Sequence, residues 1–188
     1  MKIIKQTLLW LLIFVLVSCI KDVDFDQVED FALTPVASAS VIYSNIDVSR
    51  FYDNDEELES ESVTDAIRDI TVFTDDVVLE NLVKAELIFG SVNSINRSFD
   101  IQVDFLSESD ETLHTFSFNT APSVSGNDFI TEHTELFENE SLEALKATRH
   151  MRMTFNLHSS TDGSTLDENS TGRIVVKSRG NFYLNISL

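Results

Sequence analysis

Six carboxylates crowd into residues 53–61: Asp53, Asp55, Glu56, Glu57, Glu59 and Glu61. A hard cation such as Ca²⁺ takes about six to eight oxygen ligands, and a loop of this composition can supply several. Asp53, Asp55 and Glu57 begin with the spacing of an EF-hand loop. The pattern then fails. Its sixth position is Leu58, where the sharp turn needs glycine, and its twelfth is Thr64, where a bidentate Glu belongs. The run reads first as a solvated acidic loop, with Ca²⁺ binding as an open alternative. The four histidines do not assemble a site by spacing. His150 and His158 share the polar parity of Arg152, Thr154 and Asn156, so both are expected outside. Eight residues of strand separate them by roughly 26 Å at about 3.3 Å per residue, too far for one ion. His114 has the parity of Phe116 and Phe118 and is placed at the edge of the core; His133 is placed in a loop. Nucleophilic chemistry finds no Gly-x-Ser-x-Gly elbow, and no glycine-rich phosphate loop follows a strand. Carboxylate pairs for glycosidic chemistry need set separations in space, and 32 acids offer too many pairs to choose among. No catalytic, metal-ligating or cofactor-binding residue is assigned, and no enzyme is expected.

Cys19 is different, because its neighbours give its thiol a task. Lys2 and Lys5 precede an unbroken apolar run from Leu8 to Val17. A bilayer span needs about 20 such residues. This run has the length of a signal-peptide core, roughly 7–15 residues. Leu16-Val17-Ser18-Cys19 closes it and resembles the bacterial lipobox: a Leu three before the cut, a small residue, then Cys. The resemblance implies that the Cys19 thiol carries a diacylglyceryl group through a thioether. It implies that small Ser18 lets the lipoprotein signal peptidase approach, and that the freed amine is then acylated. Two or three acyl chains anchor stably where one myristoyl chain binds marginally.

The residues beyond Cys19 bear on which membrane is reached. Ile20 stands where enteric lipoproteins held at the inner membrane have Asp. Lys21-Asp22-Val23-Asp24-Phe25-Asp26-Gln27 resembles the leader of surface lipoproteins of Bacteroidota, with Val23 interrupting the acid pair. With Leu33-Thr34-Pro35 beyond it, the segment is similar to a group of small outer-membrane lipoproteins of those bacteria. That resemblance implies a lipid-anchored, cell-surface-facing protein and carries no activity with it.

Composition excludes several classes. The formal net charge is -19, with 32 acidic against 13 basic side chains, so clustered phosphate contacts to nucleic acid are not expected. One Cys can build neither a disulfide framework nor a cysteine-based zinc site. Leu, Ile, Val and Phe make up about a third of the chain, above the roughly 20% typical of disordered sequences with high net charge.

The elements that must position any site follow a period of two. Val83, Ala85, Leu87 and Phe89 alternate with Lys84, Glu86 and Ile88, and Phe99, Ile101, Val103 and Phe105 with Asp100, Gln102 and Asp104. Met151, Met153, Phe155 and Leu157 form a third run, and Phe182, Leu184, Ile186 and Leu188 a fourth. Each turns one apolar face inward, as in an antiparallel sheet covered on one side. Ser107–Glu111 predicts a hairpin between strands at 99–106 and 112–119, and Gly180-Asn181 either a tight turn or a bulge in one long strand. Further strands are expected near 36–46 and 69–74. One helix is expected at Ser141–Thr148, capped by Ser141, with Leu142 and Leu145 on its buried face. The expected fold is an all-β antiparallel β-sandwich of the Ig-like or Greek-key type, with seven or eight strands and one short helix. The organisation is a signal peptide over 1–18, lipidated Cys19 and an acidic tether over 19–30, and a single sandwich domain over 31–188.

Function is then approached from what the sandwich displays. Phe99, Phe105, Phe116, Phe118, Phe155 and Phe182 keep core parity. Only Tyr43, Tyr52 and Tyr183 remain as aromatic platforms for sugars, with Tyr183 outward and Tyr52 beside the acidic loop. The leading expectation is a non-enzymatic structural or protein-interaction component of the envelope. A glycan-binding accessory lipoprotein of a nutrient importer and a Ca²⁺-dependent adhesion module stand as alternatives.

Overall fold

The computed structural model describes residues 32–68, 70, 75–124, 126–158 and 160–187. The signal peptide, Cys19 and the tether lie outside the described residues, and of the strand expected near 69–74 only Ile70 is described. The chain divides into two units. One is Thr34–Ile186; the other is residues 1–33 with 187–188, in which Ala32–Leu33 forms a short strand, β1.

Thr34–Ile186 is built on eight long strands: β2 (Val36–Asp47), β5 (Ser62–Ile67), β6 (Leu82–Asn93), β7 (Phe99–Leu106), β8 (Thr112–Thr120), β9 (Phe129–Phe137), β10 (His150–Leu157) and β11 (Arg173–Leu184). Two-residue strands β3 (Tyr52–Asp53) and β4 (Leu58–Glu59) pair as a small hairpin, and Ile186–Ser187 is β12. One sheet has the order β2-β11-β6-β9, the other β5-β10-β7-β8. All these pairings are antiparallel. The first long strand pairs with the last, the second with the seventh, the third with the sixth and the fourth with the fifth. This is one long hairpin rolled into two sheets, the jelly-roll form of a Greek-key sandwich.

The period-two runs face each other across the sandwich as their parity requires. Ala85, Leu87 and Phe89 of β6, all of Phe99, Ile101, Val103 and Phe105 of β7, and Met151, Met153 and Phe155 of β10 are fully buried. Rings cross the gap between the sheets: Phe89 to Phe116 at 5.0 Å, and Phe105 to Phe137 at 5.2 Å. Each fully buried aliphatic or aromatic side chain contributes about 1.5–3 kcal/mol, so these rows dominate the fold.

Several expectations need correction. Val83 is exposed, because β6 carries a bulge: Tyr183 pairs with Lys84 and Leu184 with Leu82, which leaves Val83 as the extra residue. Of the two readings of Gly180-Asn181 the tight turn fails and the long strand holds: both lie inside β11, and its register against β2 shifts just before them, between Ser178 and Arg179. A Cβ on Gly180 would collide with the edge of the Phe182 ring at Cζ and Cε2 and lie 2.9 Å from Leu87 Cδ2. The predicted helix starts earlier, as α2 (Asn139–Ala147), following the shorter α1 (Asp76–Asn81). Ser141 sits in the first turn of α2, where its hydroxyl accepts from the Glu138 N–H at 3.0 Å. Leu142 and Leu145 are buried as expected. Among the described residues, no helix is long and apolar enough to cross a membrane.

Candidate functional site

The acidic run folds as the β3–β4 hairpin, and two of its carboxylates are already engaged. Asp53 accepts from the backbone N–H of Asp55 at 2.9 Å and of Glu56 at 3.2 Å, so it shapes its own turn. Glu59 pairs with Arg97 and accepts from the Leu166 N–H. Arg97 is only 2% exposed and also donates to the carbonyls of Asn96 and Ser164. This buried cation ties the hairpin, the β6–β7 connection and the 160–172 loop together at one end of the sandwich. Among the described residues, no three His, Cys, Asp or Glu side chains are grouped so as to hold a metal ion.

The histidines divide. His158 is exposed and pairs with Asp100 at 2.8 Å, while His150 is half-buried rather than outside. His133 lies in strand β9 and not in a loop, and its parity points inward. There Glu135 bridges two histidines: His114 Nε2 is 2.8 Å from one carboxylate oxygen and His133 Nε2 is 3.1 Å from the other. The His133 ring stacks on Phe116 at 4.9 Å, and the His114 ring packs edge-on against Phe137 at 5.0 Å. β8 and β9 are edge strands of different sheets, so this trio latches one open side of the sandwich. Sequence spacing did not bring His114 and His133 together, because the two strands meet only through the rolled topology.

Two cross-strand groups on the outer faces hold displaced protonation equilibria. On the β5-β10-β7-β8 sheet, Asp104 is 3% exposed. Burial pushes its carboxyl up, but donors from Gln102, Arg152 and Thr115 outweigh that and hold it below its ordinary value. On the other sheet, Tyr183 donates to Glu86 at 3.0 Å and Lys84 bonds the same carboxylate at 2.8 Å. The hydrogen bond to Glu86 raises the Tyr183 phenol, and the bonds from Lys84 and Tyr183 lower Glu86. Lys84 Nζ also lies 4.8 Å over the Tyr183 ring. Tyr183 therefore faces outward, as expected, but its ring and hydroxyl are both engaged.

Tyr43 presents a freer surface. It is 60% exposed on the outer face of the β2-β11-β6-β9 sheet, with the Lys177 ammonium 5.6 Å from its ring centroid. In the ladder, Lys177 stands between Tyr43 and Gly90, and Gly90 stands opposite Glu132. Gly90 has no side chain to fill this row, so the sheet face sinks there. The depression holds about 350 Å³ between Tyr43, Val92, Asp128, Arg173, Val175 and Lys177. A second hollow of about 220 Å³ continues past Gly90 and Lys177 to Ile88, Glu132 and Arg179. Together they form a trough along β11, floored by Gly90, Val92 and Val175 and flanked by one aromatic ring, three cations and two carboxylates. Of these residues the sequence marks Tyr43 alone, as one of three tyrosines, and does not place it on either face.

No family model matches the chain, and no curated protein matches it. Among solved structures, it is similar to a protein of Parabacteroides distasonis described as secreted, at 15% identity and a TM-score of 0.45. That match covers 63% of this chain, which spans 36% of the other chain's length. It is also similar to the VP2 subviral particle of infectious bursal disease virus, at 11% identity and a TM-score of 0.40, covering 80% of this chain and 37% of that one. A chain of the semi-empty VLP of the giant freshwater prawn Macrobrachium rosenbergii nodavirus is similar at 8% identity and a TM-score of 0.36, over 85% of this chain and 87% of that one.

Proposed function

We propose that this protein is a lipid-anchored component of the outer membrane, facing the cell exterior, which acts without catalysis as a structural or protein-interaction module of the envelope. The observation that carries this reading is Cys19 directly behind Leu16-Val17-Ser18 and the apolar run from Leu8, ahead of a sandwich that starts at Thr34. Acylation at Cys19 holds the chain at the membrane. Cleavage before Cys19 removes Lys2 and Lys5 and no acid, so the exported chain is more acidic still and is repelled by anionic headgroups. The test is cross-linking in intact cells that express the full chain with a C-terminal tag. Recovery of a specific envelope protein supports the reading; recovery of none contradicts it.

The trough beside Tyr43 favours a second reading, a glycan-binding accessory lipoprotein of a nutrient importer. An exposed ring beside a polar, side-chain-lined trough is the chemistry that sugars use, with one apolar face to stack and hydroxyls to pair. Sugar-dependent thermal stabilisation of the full chain tests it. The Ca²⁺-dependent adhesion reading gains no such support, because Glu59 is tied to Arg97 and Asp53 to its own turn.

A further inference from the structure

Gly90 is the glycine for which the fold itself gives no reason. Gly126, Gly163 and Gly172 have φ of 74°, 75° and 125°, where a side chain is strained. Gly180 is pressed by Phe182 and Leu87. Gly90 has no positive φ, and a Cβ placed on it meets nothing within 4 Å. It sits mid-strand in β6, where glycine costs stability relative to alanine. A glycine inside a strand often marks the place where a ligand comes close to the backbone. Here Gly90 lines both hollows of the trough.

The walls say what kind of ligand fits. Arg173, Lys177 and Arg179 all point outward from β11, in a chain of net charge -19. From Arg173 to Arg179 is roughly 20 Å at about 3.3 Å per residue, so the cations line an extended site. Arg179 lies 3.8 Å from Glu132. Arg173 stands in register with Asp47, and no ion pair joins the two among the described residues. Lys177 forms no ion pair among the described residues; its ammonium is held only over the Tyr43 ring, at the point where both hollows meet. Lys177, where the two hollows meet, and Arg173, at the end of the first, are the cations available to a ligand's acid group. Asp128 and Glu132 can accept from hydroxyls, and Tyr43 offers a ring beside them. The ligand is therefore elongated, rich in hydroxyls and acidic. An extended peptide recognised by strand addition needs free backbone groups, and both β6 and β11 are paired on both sides. Nucleic acid, with a charge on every residue, is opposed by the overall acidity and by Asp128 and Glu132 within the trough.

We infer that the trough over Gly90 binds an acidic oligosaccharide, with Lys177 taking a carboxylate or sulfate, Tyr43 stacking on a sugar face, and Asp128 and Glu132 accepting hydroxyls. This deepens the glycan reading above and rests on it. The test uses the detergent-solubilised, full-length lipidated chain on an array of uronate and sulfated oligosaccharides, each beside its neutral counterpart (methyl-esterified or desulfated). Calorimetry then measures the hits against wild type, Gly90→Val and Lys177→Gln. Gly90→Val puts a side chain into the trough at a position where a Cβ meets nothing within 4 Å, and its melting temperature should match or exceed that of wild type. The expected result is binding of acidic oligomers only, lost in Gly90→Val and weakened about tenfold or more in Lys177→Gln. Equal binding of neutral counterparts overturns the acidic specificity and leaves the glycan reading standing. Binding unaffected by Gly90→Val moves the site elsewhere and overturns the assignment. No binding across the array overturns both the inference and the glycan reading. Selective binding of single-stranded DNA included on the array makes the trough a nucleic-acid site and overturns the inference.

Discussion

Replacing Asp104 by Asn tests whether a buried carboxylate organises the outer face of the β5-β10-β7-β8 sheet. One Asp104 oxygen accepts from Gln102 and Thr115, each at 2.8 Å; the other accepts from Arg152 Nε at 3.0 Å and Nη2 at 2.8 Å. The amide keeps one acceptor oxygen, which Gln102 and Thr115 can share. It turns an NH₂ towards the two Arg152 donors, so both charge-assisted bonds are lost. Bonds to charged groups are worth about 1.5–3 kcal/mol each. Arg152 is 41% exposed, so water recovers part of the loss. The net cost should be about 2 kcal/mol at pH 7, or roughly 4–8 °C in melting temperature for a domain of this size. The pH dependence has a definite sign. The folded carboxyl is held below its ordinary 3.8, so its contribution is complete above that value and is lost as pH falls through the folded value. Urea unfolding of wild type and Asp104→Asn, from pH 7 down to about pH 2.5, should show a gap that is constant above about pH 4 and closes below it. A gap under about 0.5 kcal/mol at pH 7, or one that persists unchanged in acid, would refute this account of the network.

Other outcomes follow from the same physics. Gly180→Ala should lose about 1–3 kcal/mol by overpacking against Phe182 and Leu87, whereas Gly90→Ala should be neutral or gain up to about 1 kcal/mol; parallel denaturant titrations compare them. Arg97→Met should cost about 3–5 kcal/mol, because Glu59 is left without its cation, and Arg97→Met with Glu59→Gln should recover part of it; a smaller loss in the single variant would deny Arg97 its tying role. Glu135→Ala should cost about 1–3 kcal/mol and broaden the ring resonances of His114 and His133 in NMR spectra, since both lose their shared acceptor. The Asp162 carboxyl should titrate at about 2 by carbon-detected NMR, because the Ser164 hydroxyl and N–H bond it, and Ser164→Ala should raise that value.

The inward faces that parity places without error are those whose residues are apolar throughout. β7 and β10 alternate without interruption, so their parity places Phe99–Phe105 and Met151–Phe155 correctly. β9 is hidden in the sequence, because its inward positions are Thr131, His133 and Glu135, polar groups that satisfy one another or a neighbouring strand. β5 is hidden for a similar reason: Asp65 takes an inward position and accepts from Ser44 of the opposite sheet at 2.6 Å. Bulges are equally silent, which is why Val83 misleads. The jelly-roll order is set by which strands close the long hairpin, and local pattern does not encode that. The trough was not legible: Tyr43 counts in the sequence as one tyrosine of three, with no face assigned to it. Lys177 and Gly90 join it by cross-strand register between segments far apart in sequence, and the missing Cβ of Gly90 gains meaning only beside its neighbours.

The central claim is acylation at Cys19 with the sandwich displayed outside the cell. The direct measurement is labelled palmitate incorporation into the full chain and its Cys19→Ser variant, followed by protease treatment of intact cells. Label in the wild type, none in Cys19→Ser, and loss of the sandwich to external protease is the predicted result. A chain that takes up no label, or that survives protease until the outer membrane is broken, contradicts the account.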